Sequence, residues 1–258
     1  MHPDIDIEYL VELARKAGRA IMTIYRSEIE VEHKEDNSPL TQADRMSHEL
    51  IMAGLGSKYP DIPIISEEQK NLGYDVRKNW ETLWLVDPLD GTKEFIKKNG
   101  EFTVNIALVH NGEPVLGVVD CPALDKTYFA KKGEGAFRQD YDQEPRSIKN
   151  GLHYSEKKNL TVVASRSHLS QEVTDFVDDL KGQGKEIEYL SAGSSLKFCL
   201  VAEGAADVYP RLAPTMEWDT GAADAVVREA GKRVLDYNTK ENLQYNKENL
   251  LNPWFIVE

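Results

Sequence analysis

The stretch Trp84-Leu85-Val86-Asp87-Pro88-Leu89-Asp90-Gly91-Thr92 decides how this chain is read. Leu83 to Val86 is a continuous apolar run, the pattern of a strand buried on both faces. Asp87 to Thr92 reads as a polar turn punctuated by Pro88 and Gly91, so a pair of carboxylates is expected to leave the sheet together. Two carboxylates repel by about 4 kcal/mol at ~4 Å under an effective dielectric of about 20. A cation between them removes that penalty. An all-oxygen donor set suits Mg²⁺ or Mn²⁺, whereas Zn²⁺ would bring His or Cys. Spacing alone does not make a metal site, because Asp-x-x-Asp is also an ordinary Asp-Pro turn before a helix. A calcium EF-hand loop fails, since its closing Glu would fall on Lys98. A covalent aspartyl-phosphate mechanism of the haloacid-dehalogenase type fails too, because its paired Asp residues lie closer together than Asp87 and Asp90.

Working outward, apolar residues from Leu10 to Ile24 recur at helical spacing and predict a first amphipathic helix over Ile5 to Tyr25. Ser47 to Leu55 reads as a second helix, followed by a short strand at Ile64-Ile65 with Ser66-Glu67-Glu68 at its end. If that end is extended, Glu68 points away from Glu67 and takes no part in a site. Phe102 to Val109, Val115 to Val119 and Thr127 to Ala130 read as an antiparallel meander with turns at Asn111-Gly112 and Lys131-Lys132-Gly133. The polar stretch Gln139 to Lys158 marks a soft boundary. It divides an N-terminal α+β half, 1–140, from a C-terminal α/β half, 141–258. In the latter, strands are expected at 160–164, 187–190, 206–209 and 254–257, and helices at 172–180, 195–203 and 220–230.

The 44 acidic and 31 basic side chains give a formal charge of −13. Such a surface repels long polyanions and excludes nucleic-acid polymers as partners. A small phosphate compound is still admitted, because a bound divalent cation inverts the local field. Cys121 and Cys199 stand apart from any ligand cluster, which suits structural thiols in a reducing compartment. With neither a leader-like N-terminus nor an apolar run of membrane length, a cytoplasmic protein lacking integral membrane segments is expected.

Trp84 to Thr92 resembles the signature of the inositol-monophosphatase superfamily at nearly every position. Glu217-Trp218-Asp219-Thr220-Gly221-Ala222-Ala223-Asp224, followed by Ala230-Gly231, resembles the family's second signature. Ser38-Pro39-Leu40-Thr41-Gln42-Ala43-Asp44 and Ile65-Ser66-Glu67-Glu68 resemble its supporting segments, so the resemblance spans nearly the whole chain. It implies an α/β fold, an αβαβα layered sandwich, with the site between the halves. It also implies hydrolysis of a phosphate monoester by a metal-activated water, with roughly two to three Mg²⁺ ions and Mn²⁺ as a substitute. By this resemblance Glu67, Asp87, Asp90 and the Leu89 carbonyl hold the first ions, and Asp219 completes another ion's shell. Asp44, Thr92 and Glu67 become the catalytic groups that orient and deprotonate water. Gly91 and Thr92 offer backbone N–H groups to the phosphate. Without the resemblance, Asp44 and Asp219 read as plain N-caps, Asp219 of a helix beginning at Thr220.

Lys93-Glu94-Phe95 after the first signature resembles the 3'(2'),5'-bisphosphate nucleotidase branch more than the inositol branch. Ser165-Arg166-Ser167-His168, Gly193-Ser194-Ser195-Leu196-Lys197 and Leu251-Asn252-Pro253-Trp254 resemble the same branch. The implied substrate is a small nucleotide bisphosphate, adenosine 3',5'-bisphosphate, which would yield AMP and phosphate. Asp219 is expected on the substrate side as well. Lys197 suits the non-reacting phosphate as a point charge, Ser165 and His168 suit ribose or phosphate oxygens, and Gly193 permits close backbone approach. Arg211 is a further, weaker anion contact. The resemblance leaves room for a homodimer. Two other readings stay open: an inositol-phosphate or fructose-bisphosphate phosphatase with the same metal site, and a non-catalytic phosphate-binding or metal-sensing protein on this fold.

Overall fold

Helix α1 (Ile7–Tyr25) begins where the Asp6 carboxylate accepts the Tyr9 N–H at 3.0 Å, a side-chain N-cap. Leu10, Leu13, Ala14, Ala17 and Ile21 form its buried stripe. The computed structural model describes residues 5–27, 39–69, 73–149, 153–164 and 170–258. After α1 come α2 (Pro39–Lys58), β1 (Ile64–Ser66), α3 (Tyr74–Arg77), β2 (Thr82–Asp90), α4 (Thr92–Ile96), β3 (Thr103–His110), β4 (Glu113–Cys121), β5 (Lys126–Lys131), β6 (Gly135–Asp140) and β7 (Arg146–Ile148). The second half follows as β8 (Asn159–Ala164), α5 (Gln171–Gly182), β9 (Glu186–Ser191), α6 (Leu196–Ala202), β10 (Tyr209–Arg211), α7 (Glu217–Glu229), β11 (Val234–Asp236) and β12 (Phe255–Val257).

Strands β1 to β7 form one sheet in sequence order, with β1 parallel to β2 and the remaining pairs antiparallel. Strands β2, β3 and β4 are covered on both faces, which is why they read as continuous apolar runs. Trp84 and Val86 on β2, with Val104, Ile106 and Leu108 on β3, pack under α1 and α2. The alternate residues Leu83, Leu85, Ala107 and Val109 pack under α6 and α7. Beyond those two helices lie the parallel pair β8–β9 and the antiparallel set β10–β12–β11, linked through a bridge from Val162 to Val208. Helix α5 closes the far side through Val177 against Val162, Leu235 and Ile256. The order helix, sheet, helix, sheet, helix is the expected αβαβα sandwich.

Helix α7 sits very close to the first sheet. A Cβ on Gly117 of β4 would collide with the carbonyl oxygen of Ala222, so hydrogen alone fits there. Several local expectations give way. The second helix starts at Pro39, so Asp44 lies inside it and is not its N-cap. Helix α7 starts at Glu217 with Met216 as N-cap, which makes Asp219 its third residue and removes the N-cap reading there as well. The strand expected at 206–209 is displaced to Tyr209–Arg211. Strands β6, β7 and β11 were not anticipated. In β7, Ile148 is the sole buried residue, too weak a signal to stand out from polar surroundings.

Candidate active site

The expected polar turn at Asp87 to Asp90 is strand, and a bulge explains how it serves a site. Asp87 pairs with Asn105 and Asp90 with Thr103, so three steps along β2 match two along β3. Since Asn105 and Thr103 are two apart, they share one face of the sheet, and the extra residue brings Asp87 and Asp90 onto that same face. Pro88 sits in the bulge, where its missing N–H costs no ladder bond. Its carbonyl accepts the Ser47 hydroxyl of α2 at 2.7 Å. Leu89 is buried in the opposite core.

Glu67 follows β1 in a turn, and Asp219 comes from the first turn of α7. One carboxylate oxygen from each of Glu67, Asp87 and Asp219 lies within 4.8 Å of the others. Asp87 is 1 % exposed, and burial, then Asp90, Asp219, Glu67 and Asp44, hold its pKa well above the ordinary range. Burial followed by Asp90 raises Asp219 to about 7. Burial also raises Asp90 and Glu67. Among the described residues no cationic side chain hydrogen-bonds Asp87.

The three aspartates share a further property. Asp87 Oδ1 accepts the Leu89 N–H at 3.1 Å, Asp90 Oδ2 the Ser195 N–H at 2.6 Å and Asp219 Oδ2 the Met216 N–H at 2.9 Å. Each carboxylate is thus oriented by one backbone donor on one oxygen, while its other oxygen takes no part in that anchor. Oxygens of Glu67, Asp87 and Asp219 within 4.8 Å of one another, two of these carboxylates held by a backbone donor and Asp87 met by no cationic side chain among the described residues, fit a hard divalent ion.

Asp44 points toward this cluster from α2. Its pKa is raised to about 8 by burial, then by a hydrogen bond and charge repulsion from Glu68. Its Oδ1 is buried without a partner. Glu68 therefore reaches Asp44 and does not point away as an extended chain would have it: the chain turns at Glu67 and Glu68, so the alternation of an extended strand does not apply. Thr92, exposed at the start of α4, makes no hydrogen bond to Asp44 among the described residues.

Beside the carboxylates opens a cavity of about 220 Å³ lined by Asp90, Gly91, Lys197, Tyr209, Arg211 and Asp219, among others. Lys197 is buried, and burial lowers its ammonium to about 8 despite the opposing pull of Asp90. Arg211 donates from Nε to the Thr215 hydroxyl at 2.6 Å and from Nη2 to the Pro214 carbonyl at 3.0 Å, which sets its guanidinium at the cavity wall. Gly91 has φ 97°, a left-handed turn that suits glycine. Gly193 has no room for a side chain, since a Cβ would run into Glu94 and, at 2.8 Å, the Glu101 carbonyl. Ser165 and His168 lie outside the described residues. Ser195 was expected only as part of a substrate-contacting segment, and its bond to Asp90, across 105 positions, has no local sequence signal.

The model of the inositol monophosphatase family matches residues 4–254. The 3'(2'),5'-bisphosphate nucleotidase CysQ of Salmonella typhimurium is 46% identical over 254 residues, covering 97% of this chain and 98% of its own. Its Escherichia coli K12 counterpart is 45% identical over 253 residues with the same coverage. The crystal structure of CysQ from Bacteroides thetaiotaomicron, described as a bacterial member of the inositol monophosphatase family, superposes with a TM-score of 0.89 at 48% identity, covering 98% of this chain and 96% of that one. The Thermotoga maritima IMPase reaches 0.73 at 25% identity, covering 97% and 91%. With both signatures, the layer order and a full-length family match in agreement, the chain belongs to the inositol monophosphatase family.

Proposed function

We propose that this protein is a Mg²⁺-dependent 3'(2'),5'-bisphosphate nucleotidase that converts adenosine 3',5'-bisphosphate and water to AMP and phosphate. The observation that carries the reading is the convergence of Glu67, Asp87 and Asp219 oxygens within 4.8 Å beside a cavity lined by Lys197 and Arg211. An acidic cluster for cations adjoins a basic pocket for a second anionic group. Relatives named CysQ at 45 to 46% identity over almost their entire length support the substrate assignment.

Glu67, Asp87, Asp90, Asp219 and the Leu89 carbonyl would hold the ions. When bound, Mg²⁺ supplies the Lewis acidity that activates water and offsets charge on the leaving oxygen. Lys197 and Arg211 bind the 5'-phosphate, leaving the 3'-phosphate toward the carboxylates. Gly91 and Thr92 present backbone N–H groups to the reacting phosphate from the left-handed turn. Asp44 Oδ1 is the acceptor for the proton that water gives up, and the Thr92 hydroxyl orients that water. The water oxygen bonds to phosphorus as the phosphorus–O3' bond breaks, and the 3' oxygen takes a proton from solvent water to leave as the ribose hydroxyl.

The test is phosphate release from adenosine 3',5'-bisphosphate and from inositol 1-phosphate, each with Mg²⁺ and with EDTA. Mg²⁺-dependent release with preference for the nucleotide is the expected result. Preference for inositol phosphate would overturn the substrate assignment, and release unaffected by EDTA would overturn the metal assignment.

A further inference from the structure

The Asp90 anchor is part of a larger buried construction that the reaction as written does not use. Ser195, which gives its N–H to Asp90 Oδ2, is 1 % exposed. Its hydroxyl donates to Asn105 Oδ1 at 2.7 Å and lies 2.8 Å from the Thr103 hydroxyl. Thr103 is completely buried, and its hydroxyl also stands 3.5 Å from Asp90 Oδ2. Because an amide oxygen only accepts, the single Ser195 proton goes to Asn105; the single Thr103 proton then goes to Ser195 Oγ at 2.8 Å, so the 3.5 Å approach to Asp90 is a packing contact and Thr103 reaches Asp90 through Ser195. The Asn105 Nδ2 group is buried without a partner, an unusual cost to retain in a well-packed core.

The bulge that brings Asp87 and Asp90 to one face also puts their partners Asn105 and Thr103 on that face, directly under Ser195. On the other side, Ser195 is the N-cap of α6, and Lys197 is the second residue of that helix. Ser194, just before it, is held at φ 47°, a conformation that L-residues seldom adopt unless their surroundings enforce it. Gly91 and Ser194 are packed so tightly that a Cβ on Gly91 would stand 3.2 Å from the Ser194 Cβ. One short chain of contacts thus joins a cation-site carboxylate on β2 to the base of the helix that carries the buried lysine.

We propose that Thr103, Ser195 and Asn105 are positioning residues that lock Asp90 and the start of α6 together, so that the cation site and the Lys197 anion pocket are formed as one coupled unit. This rests on the reading of the site as a Mg²⁺-dependent phosphatase. If the triad acts as a lock, loss of any member loosens both ends, and binding of cation and of nucleotide become less favourable together.

The experiment uses Thr103→Val, which removes a hydroxyl at nearly constant shape, Thr103→Ser, which keeps it, and Ser195→Ala, which keeps the N–H that reaches Asp90. Mg²⁺ affinity of the substrate-free protein is measured by calorimetry, and KM and kcat for adenosine 3',5'-bisphosphate are measured at saturating Mg²⁺. Thr103→Val and Ser195→Ala should each weaken Mg²⁺ binding by about tenfold. They should also raise KM roughly threefold or more with a smaller change in kcat, and the double variant should be no worse than about twofold beyond either single. Thr103→Ser should restore Mg²⁺ affinity to within about twofold of the parent. Folded variants with parental Mg²⁺ affinity, or losses that simply multiply in the double variant, would overturn the proposal. Should Thr103→Val fail to fold, unchanged Mg²⁺ affinity in Ser195→Ala overturns it alone. A parent protein that neither binds Mg²⁺ nor releases phosphate would instead sink the underlying reading.

Discussion

Asp87 on β2 and Asp224 on α7 are both buried aspartates, yet their surroundings are opposite. Asp224 is met by Arg228 through bonds of 2.7 and 2.9 Å and by the Tyr245 hydroxyl at 2.8 Å. Asp120, on the far side of the first sheet, is likewise met by Thr127 at 2.8 Å and Tyr141 at 2.9 Å. Asp87 has instead Glu67, Asp90, Asp219 and Asp44 as its charged neighbours. Burial of a carboxylate therefore does not mark a functional site. What marks it is burial among like charges that the protein itself leaves unbalanced.

The sharpest way to break this contrast is to neutralise one carboxylate of each kind. Asp87→Asn should lower kcat/KM about a thousandfold, some 4 kcal/mol of transition-state stabilisation. The metal-free variant should unfold at the same urea concentration as the parent or a higher one, because a repulsive charge is gone. Full activity in this variant would refute the role of Asp87. Asp224→Ala should do the reverse, costing about 3 kcal/mol in urea unfolding because Arg228 and Tyr245 lose their buried partner. Its folded fraction should keep near-parental kcat/KM.

A pH series separates the two classes further. In the metal-free protein Asp44 and Asp219 have pKa values of about 8 and about 7, above the ordinary 3.8. The folded state thus binds more protons than the unfolded chain across this window, so stability falls as pH rises from about 4 to 8. The thermal midpoint in EDTA should decline over that range, and saturating Mg²⁺ should flatten the decline above pH ~6. Asp120, raised to about 6 by burial, lies outside the site, so its smaller decline below pH ~6 should persist with Mg²⁺ present. A slope that Mg²⁺ leaves untouched at every pH would contradict the distinction. The smallest expected effect is Ser47→Ala, which removes the bond to the Pro88 carbonyl. It should cost about 1 kcal/mol in urea unfolding and leave the carboxylates in place.

The sequence was most informative where one stretch carried its own signal. The apolar run before Asp87 foretold β2, the two signatures pointed to Asp87, Asp90 and Asp219, and the segment Ile65 to Glu68 pointed to Glu67; of these, Glu67, Asp87 and Asp219 have oxygens within 4.8 Å of one another. Geometry that depends on pairing was invisible. The bulge exists only against β3, and without it Asp87 to Asp90 looks like a turn. Glu68 was set aside by a rule for extended chain that stops applying one residue earlier. Ser195 and Thr103 are polar residues in segments with no motif for mutual contact, and only the docking of α6 on the sheet brings them to Asp90. Strand β7 was hidden because an edge strand with one buried residue has little reason to be apolar.

The contact at Gly117 bears on ionic radius. With a helix carbonyl already pressed where a methyl group would stand, α7 is barred from moving inward by packing and Asp219 moves only with it. Asp87 is fixed in a sheet strand. Glu67, in an exposed turn, is the remaining wall of the trio. If this trio holds the ion, contraction around a small ion such as Mg²⁺ cannot come from α7 and must be drawn from the side of that turn, which makes Glu67 the adjustable jaw.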